Sequence, residues 1–254
     1  MVRSDGIDQA RKGPAPPRIL MGMLSAAEPP AREEPHPTAK PRRSRRRTGT
    51  YAAADERRRS ILEAAIAHFA HKGYHNASMQ KIAADVGISH TGLLHHFGSK
   101  RELLRAVLEA REGQAVEQFY QRLDPDAPDP VQLFRLIAEQ TRFNVTQPGL
   151  MQMYSLLAAE AGSEDHPAHA YFRDRYDRVL DVIAKAVRHG VEAGTVRPGT
   201  DGHAVARQVL AVADGFQIQW ALSDGTFDIL AAHLDYLDDL CRRLTTDHRG
   251  LDAA

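Results

Sequence analysis

Between Gly87 and Gly98 a short stretch carries side chains suited to reading another polymer's polar edges. Ser89, His90, Thr91 and His95 offer hydroxyls and imidazoles, and Gly92 among them is small. Such a surface can exchange hydrogen bonds with base-pair edges in a major groove, which has room for one α-helix. No nucleophile–base pair, paired-carboxylate site or phosphate loop stands out elsewhere in the chain.

Those groups need two short helices joined by a tight turn, and the flanking residues meet that need. Ile82 and Val86 face inward from the first helix, and Ala83 is small enough to let the second approach. Gly87 can adopt the left-handed conformation of the turn at no Cβ penalty. Ile88 and Leu93 pack back beneath both helices. Ser78 and Ser89 stand where N-caps belong. An ordinary helical hairpin with a glycine turn would show much of the same pattern. The order of the neighbouring segments separates the two readings.

Upstream, Ile61, Leu62, Ala65, Ile66 and Phe69 follow the three-to-four spacing of an amphipathic helix that begins near Asp55 and is stopped by Gly73. Downstream, Leu103, Leu104, Val107 and Leu108 mark a helix from Ser99 to about residue 123. Further helices are predicted after Pro130, over Leu150–Ala161, and from His166–Pro167 to Gly194. Two more are expected at about 201–223 and 226–246. The expectation is an all-α fold of about nine helices without a sheet. It divides into residues 1–50, a disordered basic and proline-rich tail; 51–102, a helix-turn-helix domain; and 103–250, a helical body.

Charge is neutral overall but uneven. Residues 40–102 hold 13 bases against 5 acids, a surplus of +8, and residues 103–254 carry −8. A basic first part joined to an acidic remainder suggests that only the former meets a polyanion. The run Arg42–Arg47 is either a solvated tail or an arm that touches DNA, and Met21 or Met23 offers an alternative start. The one cysteine, Cys241, shares helical spacing with Leu237 and Leu244. It reads as a buried structural thiol in a reducing compartment. No apolar run approaches the ~20 residues of a membrane span, so a cytoplasmic protein is expected. His166 and His169 are read as a polar helix entrance rather than a metal pair, and no cofactor is expected.

Residues 57–107 closely resemble the DNA-binding domain of the tetracycline-repressor (TetR) family. The likeness is carried by Arg59–Phe69, Lys72-Gly73-Tyr74, the helix-turn-helix, and His96-Phe97-Gly98-Ser99-Lys100-Arg101-Glu102-Leu103-Leu104. It implies that Ser78 caps the second helix and meets phosphate. Ser89, His90 and Thr91 would begin the recognition helix, and Lys100 would offer its ammonium to a phosphate at a helix start. Two departures argue against copying contacts literally. Leu94 stands where the family usually has Tyr, so it can touch a thymine methyl or simply pack. Thr91-Gly92 reverses the usual order. His95 is a further candidate contact, while His96 is read as packed near the domain junction.

The resemblance further implies double-stranded DNA as partner, a small-molecule effector and a homodimer. Val205, Val209, Val212, Phe216 and Trp220, with Ile229, Leu230, Leu234, Leu237 and Leu244, could form a four-helix interface, a monomer core, or both. Candidate ligand contacts are Gln140, Phe143, Met151, Met153, Tyr154, Phe172, Tyr176, Gln217 and Trp220, though such residues at helical spacing also build cores. Their mix suggests an apolar or aromatic ligand. The implied function is a ligand-responsive repressor that leaves a palindromic operator. The alternative is a nucleoid or partner-binding protein of the same fold without an effector.

Overall fold

The computed structural model describes residues 47–223 and 226–251. The tail, its Arg42–Arg46 run and both alternative starts lie outside the described residues.

Nine α-helices and no β-strand occur among them. These are α1 (Arg47–Asn76), α2 (Met79–Asp85), α3 (His90–Phe97), α4 (Lys100–Gln118), α5 (Pro130–Asn144), α6 (Pro148–Glu160), α7 (His169–Glu192), α8 (Gly202–Leu222) and α9 (Ile229–Leu244). A 3-10 turn at Tyr120–Arg122 follows α4, which therefore ends short of the expected residue 123. Helix α1 begins eight residues before the expected Asp55. Gly73 interrupts it at φ 66°, as the glycine's position suggested.

The helix starts are chemically specified. Ser78, Ser89 and Ser99 each accept a backbone N–H three residues on, and Asp129, Asp201 and Asp228 do the same for α5, α8 and α9. Each such cap is worth about 1 kcal/mol. Proline stands in the first turn of α5 and α6, where its missing N–H has no partner to lose.

Two hydrophobic clusters hold the helices together. One joins Ile61, Ala65 and Phe69 of α1 to Ile82, Leu93, Phe97, Leu103 and Leu104, and continues into Leu150, Met153 and Leu157 of α6. The other packs α5, α7, α8 and α9 through Phe134, Ile183, Val187, Val209, Leu237 and Cys241. Cys241 is fully buried, and burial raises its thiol pKa to about 12. No helix of the described residues is long and apolar enough to cross a membrane.

Candidate nucleic-acid interface and effector cavity

The turn between α2 and α3 is closed by backbone bonds. Gly87, at φ 71°, donates to Ala84, and Ile88 donates to the Ala83 carbonyl at 2.9 Å. Ile82 and Ala83 are buried beneath Leu93 and Phe97. Two basic groups of α1 brace this unit. The Arg57 guanidinium donates to Val86 O at 3.1 Å, and Arg58 lies 4.7 Å above the Phe97 ring. His68 Nε2 meets Asp85 Oδ2 at 2.7 Å.

The opposite face is open. Ser89, His90, Thr91 and His95 are exposed, and Leu94 and Gly92 are half-buried. Ser89 spends one lone pair on Gly92 N–H at 3.0 Å, and Ser78 lies 3.4 Å from Lys81 N. His96 is exposed rather than packed at the domain junction, because α3 turns it outward beside His95.

Lys100 is half-buried and tied down. Its ammonium donates to His75 O at 2.9 Å and lies 4.7 Å above the Tyr74 ring. Burial lowers its pKa, and the nearby Glu160 carboxylate partly offsets this. The residue expected to meet phosphate thus closes the carboxy-terminal end of α1.

Glu160, at the end of α6, is a hub that sequence reasoning missed. Its Oε2 accepts the Tyr74 backbone N–H at 2.9 Å and lies 3.4 Å from His166 Nε2. Gly73 has φ 66°, a conformation that strains residues with a Cβ, and a Cβ there would fall 2.1 Å from Glu160 Oε1 and displace the carboxylate. His166 is buried and packs edge-on against Tyr74 and His75. No group of three or more potential metal ligands occurs among the described residues.

Helices α4 to α8 line a cavity of about 350 Å³ that is partly open to solvent. Ligand sites run from roughly 300 to 1,000 Å³, so a small ligand is accommodated. Of the candidate ligand contacts, Gln140, Met151, Tyr154, Phe172, Tyr176 and Gln217 line it. Phe143 instead packs on Phe119 and under Arg111, and Met153 is fully buried in the first cluster. Trp220 does not line the cavity either.

The walls are more charged than the sequence suggested. Arg111 donates to Asn144 and Gln114. Glu112 is paired with Arg178 at 2.9 Å, both almost wholly buried. Tyr176 donates to Asp214 Oδ2 at 2.6 Å, and burial raises the Asp214 pKa. Arg175 lies above the Tyr154 ring, 5.6 Å from its centre. A second chamber of about 160 Å³ shares Glu112, Gln140, Asn144, Arg175, Asp214 and Gln217 with the cavity and is bordered by Thr141 and His233. His233 is buried with its Nδ1 2.8 Å from Thr141 Oγ1, and burial lowers its pKa to about 4.

A helix-turn-helix head carried on a hollow helical body defines a DNA-binding transcriptional regulator. Residues 61–107 match the model for bacterial regulatory proteins of the tetR family, and residues 132–242 match that for the BetI-type transcriptional repressor carboxy-terminal region. The chain is 31% identical to the transcriptional activator FasR of Mycolicibacterium smegmatis, over 48% of this chain and 68% of that protein. A transcriptional regulator from Saccharomonospora viridis, solved with choline, is similar at 25% identity and TM-score 0.59, covering 75% of this chain and 98% of that one. FadR from Bacillus subtilis, solved with stearoyl-CoA, shares the fold at TM-score 0.63 and 19% identity, over 73% and 98% of the two chains. The chain belongs to the tetR family of bacterial regulatory proteins.

Proposed function

We propose that this protein is a dimeric, cytoplasmic repressor that leaves a palindromic operator when a small molecule occupies the cavity. The reading rests on one observation above others. Helix α6 lines the cavity through Met151, Tyr154 and Ala158, and its last residue, Glu160, grips the end of α1 just ahead of the helix-turn-helix. A ligand that moves α6 therefore moves the head.

In this reading residues 51–102 form the head and residues 103–250 the sensing and dimerising body. Ser78, Ser89, His90, Thr91, Gly92, Leu94 and His95 contact DNA, and Lys100 holds the base of the head in register. The second copy packs on α8 and α9. After Val209 no residue of α8 is fully buried, while Ile218 and Leu222 are 50% and 80% exposed and Phe216 and Trp220 half-buried. Such an unpartnered apolar face suits an isologous four-helix contact. Two heads so paired would match half-sites ~34–36 Å apart, and the ligand would favour a state with another spacing.

The test begins with sequencing of DNA fragments selected by the purified protein, which should recover an inverted repeat. A small-molecule screen for release from that duplex follows. Release by no compound, with operator binding intact, would favour the effector-free nucleoid or partner-binding reading. The ligand-sized cavity speaks against that alternative.

A further inference from the structure

We propose that the effector is a small amphipathic carboxylate, its anionic head on Arg175 and its hydrocarbon part in the chamber that His233 borders. This deepens the effector-binding reading above and rests on it.

The charge pattern of the cavity carries the argument. Glu112 is closed off by Arg178, Arg111 by Asn144 and Gln114, and Asp214 already accepts the Tyr176 hydroxyl. Arg175 alone among these groups makes no hydrogen bond or ion pair within the described residues, although it lines both chambers. A guanidinium presents five donors in a rigid fork. That fork borders both chambers with its donors uncommitted, and a carboxylate satisfies it with two parallel bonds.

A quaternary ammonium, as in the choline complex of the S. viridis regulator, fits these walls poorly. It would sit against the Arg175 charge. Its natural aromatic seat, the Tyr154 face, is already covered by that guanidinium.

The second chamber has an apolar side, with Thr141 and His233 bordering it. Val116, Leu133, Ile137, Ile183 and Val209 line this chamber of about 160 Å³. An engineered apolar cavity of about 150 Å³ stays dry and takes benzene. A hydrocarbon group of that bulk fits the chamber here, while Gln140, Asn144 and Gln217 line both chambers beside Arg175.

Calorimetric titration of the full-length protein with octanoate, octan-1-ol and octyltrimethylammonium tests the assignment. Octanoate should bind at least about tenfold more tightly than the alcohol, the range of a charge-assisted pair, and the ammonium more weakly still. Arg175→Gln should remove octanoate's advantage and leave the alcohol within about twofold. Arg175→Lys, which keeps the charge but not the fork, should retain part of the advantage and guards against a folding defect. Equal affinity for octanoate and octanol, or preference for the ammonium, overturns the anionic assignment and leaves an effector site standing. Binding of none of the three overturns the assignment as well. The effector reading itself is then decided by the operator-release screen.

Discussion

The carboxylate of Glu160 accepts the backbone N–H of Tyr74 at 2.9 Å, across 86 residues of sequence. One end of this bond lies on a helix that lines the cavity. The other lies at the break in α1, four residues before the cap of the helix-turn-helix. Glu160→Ala leaves the Tyr74 N–H without its acceptor and removes the polar tie between the head and α6, while the packing of Leu150, Met153 and Leu157 remains. The expected outcome is a stability loss of about 1–3 kcal/mol by urea denaturation, with a weaker response of operator binding to the inducer. Gly73→Ala, which forces a Cβ onto Glu160 at positive φ, should destabilise by about 2 kcal/mol or more.

On the reading face, Thr91→Ala and His90→Ala should each weaken operator binding by about 1–3 kcal/mol while leaving non-specific DNA binding nearly unchanged. Fluorescence anisotropy on operator and scrambled duplexes makes the distinction. Equal losses on both DNAs would reassign the side chain to the phosphate backbone.

Lys100→Ala should lower the melting temperature, because the cation holds the His75 carbonyl and the Tyr74 ring. Its effect on the salt slope of operator binding should be well below the ~0.9 log unit of a lost phosphate contact. A full unit of lost slope would return Lys100 to the DNA surface.

His233 makes stability fall on the acid side. Burial holds its folded pKa at about 4, against 6.5 for the free group, so the unfolded chain binds more protons between those values. Stability is therefore complete above pH 6.5 and declines as pH drops toward 4. Between pH 6.5 and 5 the loss from this one group is about 2 kcal/mol. His233→Leu should flatten that part of the pH profile in urea titrations.

Leu222→Glu places a charge on the exposed apolar face of α8. Light scattering should show the monomer, with operator affinity lost alongside the dimer. A dimer that survives this change and Ile218→Glu would move the interface elsewhere.

Much of the fold was legible because each helix announces itself locally. Ser78, Ser89 and Asp129 cap where their side chains suggest, and Gly73 and Gly87 break where a left-handed residue is needed. The cavity was half legible. Tyr154, Phe172 and Tyr176 stand out by type, but Arg175 and Asp214 do not, since a charged side chain on a helix usually faces water. The signal was in the register: Tyr171, Arg175, Arg178 and Val182 share one face of α7, spaced four, three and four residues apart. What no local pattern gives is the partner of a long-range pair. Arg178 finds Glu112, and Tyr74 finds Glu160, through the tertiary fold alone.

The first hydrophobic cluster does not stop where the reading head stops. Leu150, Met153 and Leu157 of α6 complete the packing around Phe69 and Leu104. A fragment cut after residue 102 would thus lose its own keystone and should be poorly folded by circular dichroism. Calorimetry on the intact chain should record a single cooperative melt rather than two. The same sharing means that a molecule held by α6 raises the melting point of the reader as well, by simple mass action.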